Sequence, residues 1–141
     1  MTIALATTDD EIAATFDVMA QLRPHLVRAE YVPLVRRLMA SDRFRLAASL
    51  DDGIVRAVAG YRYMEMLYCG RLLYIDDLVT DETARSRGHG RALLDWLKAE
   101  ARDQGCTEIQ LISRVTREQA HRFYFRERFG MEAFHFRAKL P

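Results

Sequence analysis

Apolar residues recur along this chain with two different periods. Phe44, Leu46, Ala48 and Leu50 alternate with polar or small residues, the period of a strand. Ile12, Phe16, Met19 and Ala20 recur at helical spacing, behind a Thr8-Asp9-Asp10-Glu11 stretch that fits a capping box. From these patterns a short first strand is expected over Ile3 to Ala6, then a helix to about Leu22, stopped by Pro24. A second helix is expected from Tyr31 to Ala40, with Pro33 tolerated in its first turn.

Three strands should follow as an antiparallel meander. The first runs from Phe44 to Leu50 and turns at Asp51-Asp52-Gly53. The second runs from Ile54 to about Leu67, and Gly60 inside it suggests a bulge. The third runs from Leu72 to Thr80, after a turn at Tyr68 to Arg71. Leu93, Leu94, Leu97 and Ala101 then line one face of a helix that ends at Gly105. A strand over Thr107 to Ile112 closes a parallel, right-handed crossover. Thr116 with Gln119 reads as another capping box, opening a helix that Gly130 stops. Met131 to Leu140 is expected to return as a final strand. The fold class is therefore mixed α/β, in one domain over residues 1–141, without linker or repeat.

Composition narrows the function classes. Half of the residues are apolar, enough for a real core. Lys and Arg total 21 against 20 Asp and Glu, a formal net charge of +1, so bulk charge suggests no nucleic-acid partner. The basic residues do gather locally, at 85, 87 and 91 and again at 114, 117, 122, 126 and 128. Cys69 and Cys106 lie far apart and form no metal or disulfide framework, which reads as reduced thiols in a cytoplasmic protein. The histidines at 25, 89, 121 and 135 have no metal-ligand spacing. No apolar run approaches membrane-spanning length, and the first residues do not read as a signal segment.

The stretch that carries chemistry is Arg85-Ser86-Arg87-Gly88-His89-Gly90, between the third strand of the meander and the amphipathic helix. Glycines at a helix opening let backbone amides point outward, and the helix dipole adds positive potential there. With Arg85, Arg87 and Arg91 alongside, a phosphate or pyrophosphate is the simplest ligand. The dinucleotide fingerprint fails because Leu93 stands at its third glycine, and the nucleoside-triphosphate loop fails because no G-K-[ST] follows. What fits is R-x-x-G-x-G after a strand ending Leu78-Val79-Thr80, which resembles motif A of the GNAT acetyltransferase superfamily. Ala120-His121-Arg122-Phe123-Tyr124, followed by Phe129-Gly130, resembles that superfamily's A-x-x-F-Y…G-[FM] stretch. Further likeness to a small bacterial branch runs through Gln21 to Leu26, Tyr74 to Glu82 and Phe134-His135-Phe136, nearly the whole chain.

The resemblance implies a six- to seven-stranded mixed sheet with about four helices, and acetyl-coenzyme A as co-substrate without a metal. It implies that the pantetheine arm lies along Leu78, Val79 and Thr80, and that the pyrophosphate sits on amides from Ser86 to Arg91, His89 included. It implies an N-acetyltransferase acting on an amine acceptor that the sequence leaves unidentified. It further implies a homodimer, with the final strand as the candidate surface. Tyr124 matches the tyrosine that protonates coenzyme A sulfur; simple packing between Phe123 and Phe125 is the competing reading. Asp77 matches an acidic position ahead of L-x-V and is the candidate base, although binding to an arginine or a loop amide competes, and a water chain could replace it. Adjacent strand residues face opposite ways, so only one of Asp76 and Asp77 is expected at the substrate unless a bulge intervenes. The acceptor is expected near Arg23, His25, Arg28, Glu30 and Tyr31. One departure stands out: Arg117 occupies a position where many relatives have asparagine. A non-catalytic acyl-coenzyme A-binding module is the alternative from another class.

Overall fold

The structure, a computed structural model, describes all of residues 1–141 and falls into two compact units, Met1–Gln110 and Leu111–Pro141. The elements run β1 (Thr2–Leu5), α1 (Asp9–Ala14), α2 (Phe16–Leu22), α3 (Arg28–Asp42), β2 (Arg45–Asp51), β3 (Ile54–Met66), β4 (Gly70–Thr80), α4 (His89–Asp103), β5 (Glu108–Leu111) and α5 (Glu118–Arg126). A single 3₁₀ turn at Glu82–Ala84 separates β4 from α4. The sheet has five strands in the order β1-β2-β3-β4-β5, antiparallel from β1 to β4, with β5 parallel to β4.

Local sequence codes explain most of these boundaries. The capping box forms as expected: the Glu11 amide donates to Thr8 Oγ1 at 3.2 Å, and the Thr8 amide donates to Glu11 Oε2 at 2.9 Å. The first helix is broken in two, however. Thr15 Oγ1 donates to Ile12 O at 2.7 Å and meets Tyr31 Oη at 2.8 Å, and the Thr15 amide closes a tight turn onto the same Ile12 carbonyl. The β2–β3 hairpin turns through Asp52 and Gly53, both at positive φ (49° and 76°), which suits the twist of the flanking strands.

Two helical layers cover the sheet of the first unit. Ile12, Phe16, Met19, Tyr31 and Val35 pack against Phe44, Leu46, Ala48 and Val58 to form the main core. Alternate residues of the same strands point the other way, toward α4, whose Leu93, Leu94, Leu97 and Ala101 are buried. Tyr61 on β3 meets Trp96 on α4 edge to face, with centroids 6.3 Å apart.

In the second unit, α5 starts at Glu118 with no side-chain cap, so the capping box expected at Thr116 and Gln119 does not form. Thr116 instead offers its carbonyl to the Glu118 amide at 3.1 Å, which puts the chain into a tight turn. The helix is closed before Gly130. Arg128 takes a left-handed φ of 68°, and the Arg128 and Phe129 amides return to Phe125 O and Tyr124 O. Residues 131–141 form no strand and are exposed, so the final strand expected over Met131 to Leu140 is absent and the sheet stops at five strands.

The bulge expected at Gly60 is present, but its extra residue lies on the facing strand. Gly60 pairs with Asp77 and Tyr61 pairs with Ile75, leaving Asp76 unpaired between them. A Cβ at Gly60 would meet the Phe44 ring at 2.5 Å and Asp77 Oδ2 at 2.6 Å. Gly60→Ala should therefore destabilise the fold by about 2–3 kcal/mol through overpacking, read as a lower urea midpoint with an unchanged slope.

Candidate active site

The bulge decides which side chains of β4 share a face. Without it, Asp76 and Asp77 would point to opposite sides. With Asp76 inserted, both carboxylates line one cavity of about 660 Å³. A bulge was the stated exception to the expectation that only one of them faces this region, and that extra residue is the bulge. The cavity walls come from α2, α3, the chain between them, Phe44 just before β2, and β3 and β4: Met19, Leu26, Leu34, Val35, Leu38, Phe44 and Met64 supply apolar surface, and Arg23, His25, Tyr31, Arg62 and Tyr74 supply polar groups.

The charges in the cavity are paired. Arg23 Nε donates to Asp77 Oδ1 at 2.8 Å, and its Nη2 donates to the Asp76 carbonyl at 3.0 Å. Arg62 holds both oxygens of the Asp76 carboxylate, one at 3.0 Å. Burial pushes the Asp77 carboxyl above the ordinary range, with the Arg23 bond and charge opposing that rise. Tyr74 is likewise pushed up, first by burial and then by the nearby Asp76 charge.

Of the acceptor-side residues expected from sequence, Arg23, His25 and Tyr31 line the cavity. Arg28 and Glu30 do not: Arg28 pairs with Asp17 and lies over the Phe16 ring at 4.5 Å, and Glu30 is exposed. Sequence reasoning missed Arg62 and Tyr74. Both interrupt apolar runs in the sequence, but only the register of β3 and β4, which pairs Arg62 with Tyr74, brings them together.

Beyond the bulge, β4 presents an open edge. The Asp81 amide donates to Arg56 O at 2.7 Å, toward β3. Alternation then directs the main-chain groups of Val79 toward β3 and those of Leu78 and Thr80 to the other side. On that side β5 begins near Arg71, where the Thr107 amide donates to Arg71 O at 2.9 Å, and it is only four residues long. Running parallel to β4, it ends before Leu78–Thr80. The edge-facing amides are thus those of Leu78 and Thr80.

The chain leaves this edge through Asp81, whose carboxylate is held low by bonds from Gln21 foremost, then Thr83 and Arg56. The loop then passes Arg85 and Arg87, which are exposed and enter no ion pair, and Ser86, at a left-handed φ of 65°. Gly88 is the helix N-cap at φ 85°, a conformation that side chains resist, and open space lies where its Cβ would be. The first amides of α4 have no intrahelical acceptor and point outward with the helix dipole. Arg91 is drawn along its own helix to Asp95 at 3.8 Å. The His89 ring, by contrast, points inward: it is buried, and its Nδ1 lies 2.9 Å from the buried Ser49 Oγ on β2. What His89 offers outward is its backbone alone, and its side chain ties the turn to the sheet.

Tyr124 belongs to the second unit. It is buried on α5 between the rings of Phe123 and Phe129, with centroids 5.6 and 5.8 Å away. Burial pushes its phenol up, opposed by the charge and a hydrogen bond of Arg117. The phenol therefore stays protonated at neutral pH. Arg117, noted as a departure from many relatives, is thus a partner of Tyr124.

A strand with an open edge that runs into a glycine-capped helix N-terminus is the arrangement that acyl-coenzyme A-dependent acetyltransferases of the GNAT fold use. Residues 9–131 match the acetyltransferase (GNAT) family, and the chain belongs to it. It is 32% identical over 132 residues to the uncharacterized N-acetyltransferase YhdJ of Bacillus subtilis (strain 168), covering 93% of each chain. A shorter match, 36% over 66 residues, covers 47% of this chain and 43% of the aminoalkylphosphonate N-acetyltransferase of Salmonella typhimurium. In fold it is similar to a putative acetyltransferase from Agrobacterium tumefaciens str. C58, with a TM-score of 0.85 at 19% identity over 99% of this chain and 100% of the other. No helix is long and apolar enough to cross a membrane.

The Arg23–Asp77 pair sets a pH test. A carboxyl whose folded pKa is raised stabilises the fold fully below its unfolded value and loses that contribution as pH rises through the folded pKa. Arg23→Met removes the opposing bond and charge, so the Asp77 pKa should rise further. Relative to the parent, this variant should lose stability as pH rises above the ordinary carboxylate range and through the raised Asp77 pKa. Carboxyl NMR titration and urea unfolding across that range would check both.

Proposed function

We propose that this protein transfers the acetyl group of acetyl-coenzyme A to a primary amine of a small molecule or a protein, by direct attack in a ternary complex in the cytoplasm. The observation that carries this reading is that one strand, β4, borders both the cavity holding Asp77 and the open edge leading to the Gly88 turn. An acceptor in the cavity and a thioester laid along that edge would approach each other at the bulge. The amides of Leu78 and Thr80 are suited to the pantetheine arm, and Val79 fixes the edge by pairing with Val58 on β3. The amides from Ser86 to Arg91 are suited to the pyrophosphate, with Arg85 and Arg87 as flanking charges.

In this mechanism the amine loses a proton to Asp77, directly or through water, and its lone pair attacks the thioester carbonyl. The carbon–sulfur bond breaks as the tetrahedral intermediate collapses, Tyr124 donates its phenolic proton to the departing thiolate, and the excess proton on the new amide nitrogen restores the phenol through solvent. The upward shift of the Asp77 pKa makes it a stronger base than an ordinary carboxylate, and the protonated Tyr124 suits an acid. The apolar walls of the cavity favour an acceptor with a hydrocarbon body over a polyamine. The short match to an aminoalkylphosphonate N-acetyltransferase supports an amine as the acceptor group.

Calorimetric titration with acetyl-coenzyme A and with coenzyme A tests the co-substrate, and thiol release with a panel of amines tests the reaction. Gly88→Asp should abolish binding of both while the circular dichroism spectrum stays native, because it sets a carboxylate against the pyrophosphate. Tyr124→Phe should lower kcat about tenfold or more with little change in coenzyme A affinity. Normal turnover in that variant would reject the acid role, and tight binding without turnover on any amine would favour the non-catalytic binding module.

A further inference from the structure

One side-chain amide grips the point where β4 becomes the loop. Gln21, exposed near the end of α2, donates from Nε2 to Asp81 Oδ1 at 3.2 Å and accepts from the Glu82 amide on Oε1 at 2.9 Å. These two partners fix the direction of the amide. Reversed, it would set oxygen against carboxylate and N–H against N–H. Asp81 in turn caps the 3₁₀ turn, accepting from the Thr83 amide at 3.2 Å and the Thr83 hydroxyl at 2.9 Å. The Ala84 amide closes that turn on Asp81 O at 2.9 Å. Gln21 thus ties the start of the loop to α2.

Two residues on, Arg23 is the C-cap of the same helix and holds the Asp76 carbonyl and the Asp77 carboxylate. The grip of these two side chains therefore falls on residues 76–77 and 81–82 and leaves Leu78, Val79 and Thr80 between them. β5 lends this stretch of β4 no support, because it ends short of it. At the far end of the loop, His89 is bonded to Ser49 on β2 at 2.9 Å. The open edge is thus held on both sides by α2, and the turn that follows is held at its start by Gln21 and at its end by His89. The Gln21 to Leu26 stretch, so far noted only for its likeness to relatives, gains a physical role at both of its polar ends.

We propose that Gln21 is a positioning residue for the co-substrate, acting through the loop rather than by contact. It sets the spacing between the edge amides of Leu78 and Thr80 and the outward amides at the Gly88 turn, which one extended ligand has to meet together. This inference rests on the co-substrate reading given above. A loop that is not held in place must be ordered when the ligand binds, and that ordering lowers affinity. Gln21 is exposed, so removing its amide opens no cavity in the core, and the effect should appear in affinity more than in stability.

In calorimetric titration with coenzyme A, Gln21→Leu should raise the dissociation constant about fivefold or more, the size of an ordinary hydrogen bond or two. Thr8→Ala, which removes the cap of α1, should lower the urea midpoint at least as much and leave that affinity unchanged. Gln21→Glu and Asp81→Asn complete the test as a cycle. The first sets two carboxylates against each other, and adding the second restores a donor opposite an acceptor at the parent's total charge. The double variant should bind coenzyme A about threefold or more tighter than the sum of the single effects predicts. Parent-like affinity in Gln21→Leu, an additive cycle, or an equal loss of affinity in Thr8→Ala would each overturn the positioning role while leaving the co-substrate reading in place. A parent that binds neither coenzyme A nor acetyl-coenzyme A would remove that reading, and this inference with it.

Discussion

The functional half of this molecule depends on a single extra residue in β4 and on the absence of a side chain opposite it. Asp76 is inserted between two paired positions, and Gly60 leaves the space that the Phe44 ring and the Asp77 carboxylate occupy. The insertion reverses the alternation of the strand. Below it, Leu73 and Ile75 face α4 and Tyr74 faces the cavity; above it, both aspartates face the cavity and Leu78 returns to the α4 side. It also sets which main-chain groups look toward the open edge. A one-residue change in register thus fixes side-chain chemistry on one face and hydrogen-bonding capacity along the edge together.

The cavity is internally compensated. Two arginines and two aspartates pair across it, so the partly buried charges do not stand alone, and the desolvation of Asp77 is offset by Arg23 rather than eliminated. Truncating one member of either pair leaves its partner without a counter-charge in a partly desolvated site. The geometry of the acidic group and the stability of the sheet beneath it are consequently coupled through the same residues.

Sequence alone carried the elements with short-range codes. The Thr8–Glu11 box, the Asp52-Gly53 turn, the amphipathic face of α4 and the R-x-x-G-x-G loop all lie within a few residues, and all appear where they were expected. The glycine at 60 announced a bulge, but which strand would hold the extra residue depends on pairing across the sheet, and no local pattern fixes that. The break at Thr15 has the same origin: its hydroxyl answers to Tyr31, sixteen residues on. His89 could be read from the motif as part of the loop, yet the direction of its ring is set by Ser49, forty residues earlier. The alternation of the tail led to an expected strand, but alternation does not supply a partner edge, and residues 131–141 pair with none. The cavity was half legible: Arg23, His25 and Tyr31 come from the helical segments, while Arg62 and Tyr74 meet them only through the register of β3 and β4.

The helix opening at Gly88 has a thermodynamic consequence. Its outward amides are donors that the chain itself leaves without a helical acceptor, and His89 ties the turn to β2, so an anion held there would bind the folded chain and not the unfolded one. Occupancy of that turn is therefore linked to folding: a ligand present at about a hundred times its dissociation constant adds about 2.7 kcal/mol to stability, a large share of what a domain of this size possesses. The stability of the folded chain would then rise and fall with the concentration of that ligand.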